Sequence, residues 1–111
     1  VTVTIWHNPK CGTSRKVLEA LRGQGIEPRI VEYLKTPPTR DELAEAAARI
    51  GEGPRALLWT KNNEALLEDN PSDGELLDRM AANPELIERP VVITPKGAAV
   101  CRPPEKLAAL L

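Results

Sequence analysis

The chain has 111 residues, with 15 Lys and Arg against 16 Asp and Glu and a formal net charge of −1. That length suits one domain able to bury a core without metal or disulfide support, and the balanced charge speaks against a general nucleic-acid or membrane-surface binder. Apolar runs are too short to span a bilayer and no segment reads as a signal peptide, so a soluble, cytoplasmic, monomeric protein is expected, with Val1 following a removed initiator Met.

Val1 to Trp6 alternates β-branched, apolar and hydroxyl residues and predicts a strand. A small-residue turn follows, His7-Asn8-Pro9-Lys10-Cys11-Gly12-Thr13-Ser14-Arg15, and from Ser14 a helix is expected with Val17, Leu18 and Leu21 on one face. Gly23 and Gly25 supply its stop. Arg29 to Leu34 reads as a second strand, which completes a βαβ unit with Cys11 at the C-terminal end of its first strand. Ligand sites in α/β sheets lie at that end.

Beyond Pro37-Pro38, Thr39 and Glu42 form a capping box for a helix bearing Leu43, Ala46, Ala47 and Ile50, which Gly51 ends. Pro54 opens a short helix through Leu58, and Lys61 to Asn70 is polar enough for a loop or lid. A second capping box, Ser72 with Glu75, precedes Leu76, Leu77 and Met80 and the stop at Asn83-Pro84. Val91–Thr94 and Ala98–Cys101 flank the turn signal Pro95-Lys96-Gly97, and Pro103-Pro104-Glu105 opens a last helix through Leu110. The order predicts an α/β fold, a thioredoxin-like mixed sheet (βαβ, then ββα) in a single domain over 1–111, with a helical insertion at about 36–88.

Cys11 sits where a helix begins. Unpaired backbone N–H groups there, those of Gly12 and Thr13 among them, together with the positive end of the helix dipole, stabilise a thiolate and can hold an oxyanion. A cysteine in that setting titrates at about 3.5–7.5 rather than near 8.5; the bland reading is a buried, inert thiol. Cys11 and Ser14 have the spacing of a Cys-x-x-Cys motif, but Ser14 cannot close a disulfide, so an outside thiol must resolve any sulfur intermediate. Ser14 either donates to the thiolate or caps the helix. His7 either serves the thiolate or a leaving oxygen, or is structural. Arg55, Arg89 and Arg102 each stand beside Pro and could grip a tetrahedral oxyanion with planar forks, or simply be solvated. The two cysteines lie ninety positions apart and make neither a disulfide framework nor a zinc site, so no metal is expected. Cys101 is either a second redox thiol or a packed core residue.

His7-Asn8-Pro9 with Cys11-Gly12-Thr13-Ser14-Arg15, Tyr33-Leu34, Pro37-Pro38, Arg40-Asp41-Glu42-Leu43, Arg55-Ala56-Leu57-Leu58, Arg89-Pro90-Val91-Val92 and Cys101-Arg102-Pro103 occur in order over nearly the whole chain. This series resembles the glutaredoxin-coupled arsenate reductase family. The resemblance implies that Cys11 is the nucleophile, that Arg55, Arg89 and Arg102 bind the arsenic oxyanion, and that His7 supports the thiolate, with Ser14 present as well. It also implies a cis Arg89–Pro90 bond beside Cys11, arsenate as substrate, glutathione as co-substrate, glutaredoxin as partner and no bound cofactor. The chain stops at Leu111, without the tail of the plasmid-borne members, and is in that respect similar to the short chromosomal ones. Trp59-Thr60 stands where the plasmid-borne enzymes commonly have a basic residue. Two other functions fit the same fold: a redox-sensing transcription regulator, which typically carries Cys at the place of Ser14, and a glutathione-linked thiol oxidoreductase with a different substrate.

Overall fold

The computed structural model of the chain describes residues 3–59, 65, 68–102 and 104–111. Most of the Lys61–Asn70 stretch expected as a lid, the start of the first strand and Pro103 lie outside them. The strands are β1 (Thr4–Trp6), β2 (Arg29–Val31), β3 (Val91–Thr94) and β4 (Gly97–Val100), in one four-stranded sheet of order β2-β1-β3-β4. β1 pairs in parallel with β2, Ile5 opposite Ile30, and antiparallel with β3, Ile5 opposite Val92. β3 and β4 form the hairpin, with Val91 opposite Val100 and Thr94 opposite Gly97.

The two-residue period of the strands divides the core. Val3, Ile5 and Val92 face one side, where Val17 and Leu21 of α1 (Gly12–Gly23) and Leu107 and Leu110 of a 3₁₀ segment (Pro104–Leu110) cover them together with Cys101. Trp6 and Val91 face the other side. There they meet Leu43, Ala46 and Ala47 of α2 (Arg40–Ile50) and Leu76, Leu77 and Met80 of α3 (Asp73–Ala82). Both faces of the sheet are thus roofed by the helical faces whose apolar spacing predicts them.

α2 begins in the expected capping box: the Glu42 N–H donates to Thr39 Oγ1 and the Thr39 N–H to Glu42 Oε1. Gly51 ends it in the left-handed region at φ 82°. Ser72 Oγ accepts from the Glu75 N–H at the start of α3. Four expectations shift. β4 spans Gly97–Val100 rather than Ala98–Cys101, because Gly97 pairs with Thr94 and leaves only Pro95 and Lys96 in the turn. β2 stops at Val31 rather than Leu34, because the N–H groups of Lys35 and Thr36 both turn back to the Glu32 carbonyl and leave Leu34 exposed. α1 starts at Gly12, so Ser14 lies inside its first turn and the cap position belongs to Cys11. The last helix is of 3₁₀ type over Pro104–Leu110.

Candidate active site

Cys11 occupies the N-cap position of α1 in extended backbone (φ −92°, ψ 123°), and its side chain caps nothing. The turn before it closes with the Cys11 N–H on the Asn8 carbonyl, while Asn8 Oδ1 accepts from the Lys10 N–H. α2 and α3 carry carboxylates in their first turns, Asp41 with Glu42 and Asp73 with Glu75, but α1 has none. Its positive end is therefore left uncompensated beside the sulfur.

Burial works against ionising Cys11. The Ser14 N–H, the Arg89 guanidinium, the Thr13 N–H and the Arg102 guanidinium together outweigh it and hold the thiol below its ordinary value. Arg102 Nη1 lies 3.9 Å from Cys11 Sγ and donates to the Arg89 carbonyl at 3.4 Å. The Arg89–Pro90 bond is cis, Pro90 is fully buried, and its carbonyl accepts from the Cys101 N–H at 2.9 Å. The sulfur and the carbonyl of the cis peptide thus share one guanidinium nitrogen. Arg89 Nε is buried and unpartnered.

His7 and Ser14 meet each other rather than the sulfur. Both are buried, Nδ1 of His7 bonds to Ser14 Oγ, and that hydroxyl also accepts from the Asn8 N–H at 3.1 Å. Burial pushes the His7 pKa down, assisted by Arg22 and Arg15 and opposed by Glu32. A neutral ring whose Nδ1 accepts the Ser14 proton satisfies all three groups. Ser14 is accordingly neither the cap of α1 nor a side-chain donor to the sulfur; its backbone N–H is what reaches Cys11.

Arg55 stands apart from its two companions. It is exposed on the 3₁₀ segment Pro54–Leu57, and its Nη2 donates to Asn70 Oδ1 at 3.1 Å and to the Pro71 carbonyl at 3.3 Å. Cys101 is fully buried, and burial pushes its thiol up to about 11, with Lys106 opposing. That is the setting of a packed thiol rather than a reactive one.

Three groups at this place are not singled out by sequence reasoning as site residues. Both guanidiniums lie over the Trp59 ring, the Arg89 carbon 4.3 Å and the Arg102 carbon 4.8 Å from its centroid. Half-buried Glu88 sits 3.9 Å from Arg102 Nε; burial raises its carboxyl, while Arg102, Arg89 and Lys106 pull it down. The phenol of Tyr33 is buried against Arg89 and Asn8, and desolvation raises its pKa. The sequence signals for these were faint: an aromatic residue next to the Arg55-Ala56-Leu57-Leu58 run, and an acid beside Arg89. Among the described residues no group of three or more His, Cys, Asp or Glu could hold a metal ion, and no helix is long and apolar enough to cross a membrane.

A mixed sheet with a thiol at the N-terminus of its first helix and a cis-proline loop facing it defines a thioredoxin-like protein. Within that class the match is specific: a profile of the ArsC family covers residues 6–110. The chain is 50% identical to an arsenate reductase of Escherichia coli K12 over 98% of its length and 80% of that protein. It is 46% identical to an arsenate reductase of Rhizobium meliloti over 100% of its length and 82% of that protein. The solved arsenate reductase from Vibrio cholerae superposes with a TM-score of 0.92 at 38% identity, covering 99% of this chain and 98% of that one. The chain belongs to the ArsC family.

Proposed function

We propose that this protein reduces arsenate to arsenite through a covalent adduct on Cys11, as a cytoplasmic monomer using glutathione and glutaredoxin. The observation that carries the reading is the placement of Cys11 Sγ at an uncompensated helix N-terminus with Arg102 Nη1 3.9 Å away and Arg89 beside it. The same donors that favour the thiolate suit a tetrahedral oxyanion. Arsenate oxygens take the N–H groups of the first turn of α1, Gly12 and Thr13 included, and the forks of Arg89 and Arg102. Arg55 joins them by leaving Asn70 and Pro71.

The Cys11 thiolate attacks arsenic and one arsenate oxygen leaves as water, giving a thiol-arsenate ester. Charge builds on the remaining oxygens, where the preorganised guanidiniums meet it. The glutathione thiol then displaces a second oxygen as water. A glutaredoxin thiolate attacks the glutathione sulfur, and the arsenic–sulfur electron pair stays on arsenic, which passes from pentavalent to trivalent. Hydrolysis of the remaining Cys11–arsenic bond releases arsenite and regenerates the thiol. Ser14 at the second motif position leaves resolution to outside thiols, which supports this route over an internal disulfide.

The test is a coupled assay holding arsenate, glutathione, glutaredoxin, glutathione reductase and NADPH. NADPH oxidation that requires both arsenate and this protein is the expected result; an arsenate-independent rate would overturn the reading.

A further inference from the structure

Trp59 owes its place to backbone pairing rather than to the helices. Leu58 and Ile87 form an antiparallel bridge, the Trp59 N–H donates to the Leu86 carbonyl at 2.7 Å, and the Glu88 N–H donates to the Leu57 carbonyl at 2.6 Å. This short ladder sets the indole beside the Glu88-Arg89-Pro90 run. The half-buried ring then lies under two guanidiniums, with centroid distances of 4.3 Å to Arg89 and 4.8 Å to Arg102. Two like charges this close to one sulfur repel each other, and both side chains have several rotatable bonds. An indole face attracts each of them through its quadrupole while leaving the in-plane N–H edges free to donate.

We infer that Trp59 is the positioning residue of the anion site, the shared surface that holds Arg89 and Arg102 with their N–H edges turned to one oxyanion beside Cys11. Glu88 contributes from the other direction: its carboxylate lies 3.9 Å from Arg102 Nε and restrains that side chain. Trp59 itself carries no charge in this role. A basic residue at this position would add a third cation; the indole instead orders the two that are present. The oxyanion is arsenate if the function proposed above holds, and the inference rests on that reading only for the identity of the ligand.

The experiment measures iodoacetamide alkylation of Cys11 against pH, in a Cys101→Ala background so that one thiol reports, together with the dissociation constant of arsenate. Trp59→Leu removes the π face and keeps apolar bulk; Trp59→Phe restores a face. Trp59→Leu is expected to weaken arsenate binding about tenfold and to move the alkylation midpoint upward, and Trp59→Phe to recover most of both. A Trp59→Leu protein with unchanged binding and midpoint overturns the inference, as does a Trp59→Phe protein as impaired as Trp59→Leu. A merely structural role would not be rescued along both readouts by a smaller aromatic ring.

Should Trp59→Leu fail to fold, the native residue supplies the measurement. The chain has two tryptophans, so in a Trp6→Phe protein the emission comes from Trp59 alone. A saturable change on adding arsenate supports the placement, and an unchanged spectrum under conditions where arsenate protects Cys11 from alkylation refutes it. None of the alkylation readouts needs turnover. A protein that does not reduce arsenate but whose Cys11 profile shifts in Trp59→Leu refutes the proposed function and leaves the positioning role standing.

Discussion

Nδ1 of His7 and Oγ of Ser14 lie 2.5 Å apart, and together they tie the end of β1 to the first turn of α1. The Asn8 N–H completes the knot on the same hydroxyl. Three polar groups from the two sides of the Cys11 turn are satisfied by one another, and the turn that sets the sulfur is held by buried hydrogen bonds rather than by side-chain capping. Ser14→Ala leaves His7 Nδ1 and the Asn8 N–H without their partner. Unfolding in urea is expected to show a loss of about 1–3 kcal/mol, with a lower midpoint at unchanged slope. Stability equal to wild type would mean that water replaces the hydroxyl at no cost.

Cys11→Ser should abolish arsenate-dependent NADPH oxidation while leaving the circular dichroism spectrum and melting curve close to those of the parent, since an alcohol at this position is not ionised. Cys101→Ala should keep most of the activity. If the two variants are equally damaged, an internal disulfide must replace the external resolution argued above.

Arg102→Ala removes the guanidinium nearest the sulfur. The expected fall in kcat/KM for arsenate is one to two orders of magnitude, matching the loss of a charge-assisted contact of about 1.5–3 kcal/mol. Arg89→Ala should behave similarly, and Lys at either place should recover only part of the loss because the planar fork is gone. Steady-state kinetics decide it; two Ala variants with parental kcat/KM would remove both side chains from the site.

The two cysteines predict opposite responses to pH. Although burial opposes it, Cys11 has a lowered pKa because the helix N–H groups and arginines favour its thiolate. Its contribution to folding is present above the unfolded pKa of about 8.5 and is lost as pH falls through the folded value. Cys101 is raised to about 11 by burial. Its neutral form is favoured in the folded state, so its contribution is present below about pH 8.5 and is lost as pH rises from there toward about 11. Denaturant titrations in alkaline buffers should therefore show stability declining with pH in the parent and a flatter curve in Cys101→Ala. Parallel slopes would contradict the burial argument.

Local signals carried most of the fold. The Thr39–Glu42 box, the Gly51 stop, the Pro95-Lys96-Gly97 turn and the apolar faces of α1, α2 and α3 are all short-range chemistry, and each appears where the spacing predicts it. Leu34 misled because its neighbours Glu32 to Thr36 close a turn, a choice that the apolar pattern does not encode. At the site, the thiol and the motif arginines were legible, but what their side chains touch was not. His7 and Ser14 are seven positions apart and their meeting depends on how the Cys11 turn folds back. Trp59 reaches Arg89 only through pairing between segments near 58 and 87, a long-range contact with no signature in either segment.

The hairpin fixes more than the edge of the sheet. Val91 lies opposite Val100, the Pro90 carbonyl takes the Cys101 N–H, and just beyond the strands the Arg102 N–H turns back to the Val100 carbonyl while Arg102 Nη1 reaches the Arg89 carbonyl. The two arginines therefore flank the open end of the hairpin, and their approach is counted out from the two residues, Pro95 and Lys96, that join Thr94 to Gly97 at its far end. A slip of one residue in that register would turn every β4 side chain to the opposite face of the ribbon, buried Ala98 with the rest. The length of a surface turn with no chemistry of its own thus acts as the ruler for the anion site and for the core beneath it alike.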